Sequence, residues 1–320
     1  MQILIAAPAD YATGGVELLH QLCFELNKTE DVDARIWYRN AGAQCPQPDD
    51  YRRYGCQWVT DLPEGYDGVL IFPEIWANDV VGERFRKCQK VIFWESVDNY
   101  FAHNAPKDYY KFIHHQLIER DVIMHIAQSV YACEFLKQIN LKCIMLGDYI
   151  NDDFFKSCQE TARDPVVLYN PKKGMQFTQK LIDFAGDSIT FIPIENMDRK
   201  QVIALMRRSM LYIDFGNHPG RERLPREAAV CGCCVITGRD GSAENSVDIP
   251  ISNKYKFARS DQQLPFIVDR IRSVLWDYER CKKDFDFYRY VIADSKRVFE
   301  DQCRRFVSGL RAAVEWMDRK

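Results

Sequence analysis

Residues 220–245, GRERLPREAAVCGCCVITGRDGSAEN, have the pattern of a helix followed by a buried strand. Pro225 stands where the first turn of a helix accepts a proline. The apolar run at 234–236, which ends before Gly238, is typical of a buried parallel strand. A helix that leads directly into such a strand predicts an α/β fold with a parallel sheet.

The same alternation extends back along the chain from this segment. Strand-like runs lie at 166–169, 189–192 and 211–215, and helices are predicted at 175–185 and 198–209. Asp198 is a residue type that commonly caps the start of a helix. Strands that alternate with helices in this way predict a Rossmann-like domain.

The N-terminal half repeats the pattern. Its apolar runs lie at 3–7, 35–38, 68–72, 91–94, 123–127 and 143–146. A helix with apolar residues at helical spacing follows from about Val16, and Ser129 is suited to cap another helix at 130–139. A polar stretch at 151–164 ends at Pro165 and separates the two halves.

We therefore predict an α/β protein with two Rossmann-like domains that face a cleft. The expected domains are residues 1–155 and 156–289, and residues 290–320 form a helix that crosses back and packs across the domains. Residues 290–320 contain two patterns at helical spacing. The apolar stripe consists of Phe299, Cys303, Phe306, Leu310, Ala313 and Met317. The alternative to packing is that a basic face, with Arg297, Arg304 and Arg311, meets an anionic membrane.

Composition is that of a soluble globular protein, with 47% hydrophobic and 28% charged residues. The balance of 43 basic against 46 acidic residues argues against a dedicated nucleic-acid binder. Twelve cysteines at irregular spacing favour reduced thiols and a cytoplasmic location. No run approaches the roughly 18 apolar residues of a membrane span, so any membrane contact is expected to be peripheral, at the inner face.

Three segments follow predicted strands at the edge where open α/β sheets bind ligands. They are PADYATGGVE at 8–17, YNPKKG at 169–174 and the segment 220–245. Helix N-termini at this edge present unpaired N–H groups, so each segment suits an anion such as a diphosphate. Gly14 and Gly15 either let a ligand approach the backbone or serve a tight turn.

The order of these segments resembles that of GT-B fold glycosyltransferases with a glycosyl transferases group 1 (family 4-like) C-terminal domain. GGVE at 14–17 is similar to their N-terminal Gly-Gly loop. AQSVYACEFL at 127–136 and GDYINDDFF at 147–155 are similar to the end of their first domain. YNPKKG resembles their Lys-Gly loop, and LPREAAVCGCCVITG at 224–238 resembles their Glu-Ala…Cys-Gly-x-x-Val-Ile segment.

The resemblance implies a nucleotide-sugar as donor substrate in the second domain and no obligatory metal or other cofactor. Glu227 is then the ribose contact, and Lys172 or Lys173 meets the diphosphate, where a cation offsets the charge of the leaving group. The other ligand-binding candidates are Asn170, Gly174, His218, Arg221 and Arg223, together with Gly14 and Gly15, whose loop lies beside the acceptor in the family.

The sequence departs from the family at two positions. Pro219 stands where the family commonly has a second glutamate, and Asn170 stands close to the place of its usual arginine. We therefore expect either a donor site rebuilt with Arg221 or Arg223, a different donor, or a binding protein that kept the fold.

The acceptor side offers five candidates for a general base. They are Asp10, Glu17, Glu95, Asp98 and His103. An inverting transferase needs one carboxylate or imidazole to take the proton of the acceptor hydroxyl, whereas a retaining transferase does not. The sequence leaves both routes open.

We therefore hypothesise that the chain is a glycosyltransferase that acts on a glycan or glycolipid acceptor in surface polysaccharide assembly. The alternatives are a non-catalytic nucleotide- or glycan-binding module on the same fold and a sugar-nucleotide epimerase. The cysteines at 231–234 have no second pair that would complete a zinc site, so no metal is expected there.

Overall fold

The first strand, β1 (Gln2–Pro8), lies inside a parallel sheet, and the run 3–7 is buried along its whole length. In the computed structural model, which describes residues 1–41, 45–104, 122–156 and 162–318, the chain divides into two compact units. The first unit contains Met1–Asp148 and Lys296–Lys320, and the second contains Tyr149–Ser295.

The sheet of the first unit has the strand order β3-β2-β1-β4-β5-β6-β7, and all neighbouring strands are parallel. The further strands are β2 (Asp33–Arg39), β3 (Trp58–Val59), β4 (Val69–Pro73), β5 (Gln89–Trp94), β6 (Val122–Ala127) and β7 (Ile144–Met145). The helices are α1 (Gly14–Leu26), α2 (Val97–Asn104) and α3 (Val130–Gln138). The strand order reverses between β1 and β4, which places the loops after these strands at the usual ligand-binding edge.

The second unit has a parallel sheet with the order β11-β10-β8-β9. Its strands are β8 (Asp164–Tyr169), β9 (Thr190–Pro193), β10 (Ser209–Asp214) and β11 (Cys234–Thr237). Its helices are α4 (Met175–Ala185), α5 (Arg199–Arg208), α6 (Arg223–Val230), α7 (Leu264–Trp276) and α8 (Tyr278–Lys283). The order reverses between β8 and β10, so the loops after these two strands are neighbours.

Both predicted helix caps are confirmed. The Ser129 hydroxyl accepts a hydrogen bond from the Ala132 N–H at 3.1 Å. Asp198 and Gln201 form a reciprocal capping box, with distances of 2.9 and 2.8 Å. Each bond satisfies an N–H group that the first turn of a helix leaves unpaired, which explains why these helices begin where they do.

The C-terminal helix, α9 (Asp286–Asp318), begins before residue 290, where the sequence pattern places its start. Its apolar stripe is buried at Phe299, Cys303, Phe306 and Leu310, as predicted. The side chain of Met317 lies outside the described residues. Residues 296–320 belong to the first unit, where the side-chain oxygen Oε1 of Gln302 accepts a hydrogen bond from the Gly147 N–H at 2.8 Å.

The arginines on the other face of α9 have partners within the first unit. Arg297 and Arg304 both pair with the Asp301 carboxylate, and Arg311 donates to the Glu30 carbonyl oxygen at 2.8 Å. In the part of the chain that the structure describes, no helix has the length and apolarity that a membrane crossing requires.

Arg163 joins three segments at the amino ends of the strands of the second sheet, opposite the ends where β8 and β10 enter their loops. Its guanidinium donates to the carbonyl oxygens of Met206 (3.2 Å), Ser209 (2.6 Å) and Cys231. Gly232, at φ +99°, has no room for a side chain because Arg163 lies against it. These contacts fix the ends of α5 and α6 beside the start of β10.

Some elements differ from the sequence prediction. The pattern at 143–146 gives only the two-residue strand β7, and the patterns above do not predict β3, α2, α7 or α8. The buried residues of α7 nevertheless lie at helical spacing, so its sequence contains a helix signal that was missed; they are Leu264, Ile267, Val268, Ile271 and Val274. The polar stretch 151–164 contains a 3-10 helix at Asp152–Phe155, and residues 157–161 lie outside the described residues.

Candidate functional site

The loops after β8 and β10 contact each other at the ligand-binding edge of the second unit. Gly174 has φ +63°, and a β-carbon there would lie 2.2 Å from the Phe215 carbonyl oxygen. A β-carbon on Gly216 would lie 3.1 Å from the β-carbon of Lys173. Gly174 therefore needs glycine, Gly216 leaves little space for a side chain, and the YNPKKG loop is held directly against the segment that leads to α6.

Lys173 forms an ion pair across this contact. Its Nζ lies 2.6 Å from Oε2 of Glu222, and the two side chains are 37% and 17% exposed. Glu222 directly precedes α6, but its carboxylate does not cap the helix. Sequence reasoning did not select Glu222 as a site residue, although its position just before a predicted helix start was a usable signal.

Asp214 organises the loop after β10. Its Oδ1 accepts a hydrogen bond from the Gly216 N–H, and its Oδ2 accepts one from the Tyr212 hydroxyl, both at 2.9 Å. Burial raises the pKa of Tyr212, so this hydroxyl stays protonated and donates. Sequence reasoning also missed Asp214, whose position at the end of a buried strand and before a glycine is typical of site carboxylates.

His218 is buried beside Asp214. Its Nε2 lies 3.3 Å from the Asp214 carbonyl oxygen and 3.4 Å from Oδ1 of the same residue. The backbone at His218 has φ +41°, an uncommon value for a residue with a side chain. Ser242 donates its N–H to the His218 carbonyl oxygen at 2.9 Å, which fixes the loop from a second side.

The turn before α6 is fixed by Arg226. This guanidinium, only 1% exposed, donates to the carbonyl oxygens of Glu222 at 3.0 Å and Arg221 at 2.7 Å. Arg221 is half-buried in the turn, and Arg223 and Glu227 are half-buried one helical turn apart on α6. Arg226 was not among the predicted site residues because its position inside the helix gave no sign of burial.

Two further candidates in the second unit, Asn170 and Lys172, lie in the loop after β8. The side-chain oxygen of Asn170 accepts a hydrogen bond from the Lys172 N–H at 3.0 Å, and the Lys172 side chain is exposed. The structure thus brings Lys173 and Gly174 together with residues 215–222, whereas Lys172 points into solvent.

The cysteines at 231–234 are packed in the core of the second unit. Burial raises the pKa of Cys231 to about 11 and that of Cys233 to about 12, so both thiols are protonated at neutral pH. Cys233 lies with its Sγ 3.1 Å from the Met206 carbonyl oxygen. Within the described ranges, no group of three or more His, Cys, Asp or Glu side chains is arranged to hold a metal ion.

In the first unit, the start of α1 lies against Glu95. A β-carbon on Gly15 would lie 2.3 Å from Oε2 of this glutamate, which follows β5. Thr13 caps the helix, because its hydroxyl accepts a hydrogen bond from the Val16 N–H at 3.4 Å. Two predicted features, the Gly14-Gly15 pair and the carboxylate of Glu95, therefore lie side by side.

A second carboxyl group, that of Glu74, supports the loop that carries Glu95. Glu74 follows β4, is 2% exposed, and its Oε2 accepts a hydrogen bond from the Glu95 N–H at 2.9 Å. Burial raises the pKa of Glu74 to about 8, which makes it neutral at pH 7. Sequence reasoning missed Glu74, although a glutamate two residues after the buried run at 68–72 was a signal.

The other four base candidates are spread over the first unit. Asp10 is exposed at φ +64°, and His103 is exposed near the end of α2. Asp98 is half-buried, with the Tyr131 hydroxyl 3.4 Å from its Oδ1.

Glu17 is buried on the inner face of α1. Its Oε1 accepts a hydrogen bond from the Tyr54 hydroxyl at 2.8 Å. On the same helix, His20 lies with Nε2 2.6 Å from the Tyr38 hydroxyl, and burial lowers the pKa of His20. This buried polar cluster ties α1 to β2 and to the 3-10 helix at Asp49–Tyr54.

Comparison with known proteins gives a likeness of structure without a likeness of sequence. No family model matches the chain, and no curated protein matches it. Among solved structures, it resembles a sucrose-phosphate synthase from Thermosynechococcus elongatus with a TM-score of 0.71 and 12% identity over 98% of this chain and 99% of that one. Anabaena HepE in complex with UDP-glucose aligns with a TM-score of 0.70 and 12% identity, over 96% and 99% of the two chains.

A glycosyltransferase from Rickettsia africae aligns with a TM-score of 0.68 and 12% identity, over 98% of each chain. Together with the two parallel sheets, these likenesses define the chain as a GT-B type α/β fold with two Rossmann-like units. The α/β class with two Rossmann-like domains, predicted from the alternation of strands and helices, and the GT-B fold, implied by the motifs, are confirmed.

Proposed function

We propose that this chain is a glycosyltransferase that takes a sugar from a nucleotide-sugar donor. The observation that carries the proposal is the contact between the loops after β8 and β10, which places Lys173 beside the start of α6. Cations and unpaired N–H groups at helix starts are the features that bind a diphosphate. UDP-glucose bound to Anabaena HepE, a protein of the same fold, supports a donor of this class.

In this proposal the second unit holds the donor. The helices α4 and α6 both begin without a side-chain cap, at Gly174 and Glu222, so their first-turn N–H groups face the loops. Lys173 and these N–H groups stabilise the negative charge that develops on the diphosphate as the bond from the anomeric carbon breaks. Glu227, half-buried on α6, takes the ribose, and Arg221 or Arg223 replaces the missing family arginine.

The first unit supplies the acceptor side. The acceptor hydroxyl attacks the anomeric carbon, and in an inverting reaction its proton passes to a base. Glu95 is the best-placed of the five candidates, because it lies against the start of α1 and its backbone is held by Glu74.

The biological setting follows from the motif resemblance alone. We propose a glycan or glycolipid acceptor and a role in assembly of a surface polysaccharide or another glycoconjugate. A cytoplasmic enzyme that contacts the inner face of a membrane peripherally fits such an acceptor.

The decisive test is release of free nucleotide from UDP-, GDP-, CMP- and TDP-sugars, with a panel of glycan and lipid-linked acceptors. Transfer requires release of the nucleotide together with glycosylation of an acceptor, and both should be lost in Lys173→Ala. Binding of a nucleotide-sugar without release would instead favour a binding module. Conversion of the donor sugar to its epimer would favour an epimerase.

A further inference from the structure

The carboxylate of Glu222 occupies a binding position on the Lys173 ammonium group. The Nζ–Oε2 distance of 2.6 Å is that of a charge-assisted hydrogen bond. Glu222 is 17% exposed, so water screens the pair less than it screens a surface ion pair.

The backbone on both sides of this ion pair is fixed. On one side, Lys173 packs against Gly216 and precedes Gly174, which is itself wedged against Phe215. On the other side, the buried guanidinium of Arg226 holds the carbonyl oxygen of Glu222 at 3.0 Å. The pair is therefore prepared by the fold and does not depend on two freely moving side chains.

The carboxylate of Glu222 does not cap α6, the helix that it precedes. Ser, Thr, Asp or Asn at the N-cap commonly accepts hydrogen bonds from the first-turn N–H groups of its helix, and the Glu222 side chain makes no such bond. Its carboxylate reaches Lys173 instead and leaves the start of α6 uncapped.

We propose that Glu222 is an intramolecular competitor of the donor's diphosphate and sets the affinity for the donor. This inference rests on the proposed function, because it assumes that Lys173 binds a diphosphate. The diphosphate takes the position of the Glu222 carboxylate on Lys173, and the displaced carboxylate remains close to an anion. Both effects weaken binding of the donor relative to a site with a neutral residue at 222.

The test is calorimetric titration of wild type and Glu222→Gln with UDP, GDP, ADP and TDP, and with the four corresponding nucleosides. We expect the diphosphate that binds best to bind about 5- to 20-fold more tightly to Glu222→Gln, as removal of one charged partner predicts. The nucleosides should gain nothing, because they carry no phosphate that reaches Lys173.

The matched control is Asp261→Asn. It removes the same charge from another lysine–carboxylate pair of the second unit, Lys180–Asp261 at 2.8 Å, and should leave the affinities unchanged. Glu222→Asp keeps the charge on a shorter side chain and should give an intermediate affinity. This variant tests the inference even if Glu222→Gln folds poorly. In a Lys173→Met background, Glu222→Gln should give no gain.

The outcomes separate the inference from the proposed function. Equal or weaker diphosphate binding by Glu222→Gln, with wild type binding normally, overturns the inference and leaves the donor proposal standing. Weaker binding would make Glu222 a donor ligand. No binding of any diphosphate by wild type or variant overturns both.

Discussion

Gly174 lies directly against the backbone of Phe215, so that a β-carbon at residue 174 would be 2.2 Å from the Phe215 carbonyl oxygen. This contact joins the loop after β8 to the loop after β10 and places Lys173 beside the start of α6. The close approach and the positive φ both exclude a side chain.

Gly174→Ala should destabilise the second unit. Gly55 is a matched control, because its φ of 60° and ψ of 20° nearly equal the 63° and 19° of Gly174, while nothing lies within 4 Å of its added β-carbon. Gly55→Ala should cost about 1–2 kcal/mol from the backbone conformation alone. Gly174→Ala should cost about 1–3 kcal/mol more from the clash. Circular dichroism during urea unfolding measures both, and equal losses would contradict the contact.

The donor residues should lose affinity when truncated. Lys173→Ala and Glu227→Ala each remove a charge-assisted hydrogen bond, so nucleotide binding should fall roughly ten- to hundredfold while the fold persists. Lys180→Ala, which removes an exposed lysine on α4, is the control. Calorimetry that gives wild-type affinity for every nucleotide in both variants would remove these residues from the site.

Neutralising the acceptor base should lower the turnover rate without weakening donor binding. A positioned general base contributes roughly 10²–10⁴ in rate. If the enzyme inverts, one of five neutral variants should lose turnover by about this factor, and we expect it to be Glu95→Gln. The other four are Asp10→Asn, Glu17→Gln, Asp98→Asn and His103→Gln. Normal turnover in all five would exclude an essential base among them and favour a retaining route.

Arg163 should contribute stability without affecting the chemistry. Its guanidinium donates to three carbonyl oxygens at the end of the sheet opposite the loops after β8 and β10. Arg163→Met should destabilise the second unit by about 2–4 kcal/mol, since hydrogen bonds to a charged group contribute roughly 1.5–3 kcal/mol each and are not additive. Faster hydrogen exchange of the backbone amides of β8 and β10 would measure this loss of stability. Arg208→Met, which removes an exposed arginine 3.9 Å from Asp164, should change little.

The sequence predicts the strands and caps well because these are local features. The apolar runs of β1, β4 and β5 are buried on both faces, so each is recognisable without knowledge of its neighbours. Lys173 and Gly174 are predictable as site residues for the same reason, because their loop lies between a predicted strand and a predicted helix.

The contacts that define the candidate sites could not be predicted in this way. Lys173 and Glu222 are 49 residues apart, and their contact depends on the register between β8 and β10, which shifts between Ser209 and Leu211. Glu74 and Glu95 meet only because β4 and β5 are neighbours in the sheet. Burial of a charged group such as Arg226 depends on the same tertiary packing and has no sequence pattern of its own.

The stability of the first unit should depend on pH through the buried carboxyl group of Glu74. Burial raises its pKa from an ordinary value near 4.5 to about 8 in the folded protein. Between these two values the unfolded chain has released the proton and the folded chain still holds it, so folding binds a proton. The stability of the first unit should therefore fall as the pH rises from about 5 to about 8, by at most about 1.4 kcal/mol per pH unit.

Glu74→Gln isolates this effect. Glutamine keeps a carbonyl oxygen that can accept the Glu95 N–H, but it has no proton to release. The variant should therefore gain stability relative to wild type as the pH rises, and the difference should level off above about pH 8, where folded wild type also titrates. Tryptophan fluorescence during urea unfolding at pH 5, 6, 7 and 8 follows the first unit, because Trp37 and Trp94 are buried there while Trp276 of the second unit is 92% exposed. Glu83→Gln, at an exposed position, is the control, and parallel curves for wild type and Glu74→Gln would show that Glu74 is ionised in the folded protein.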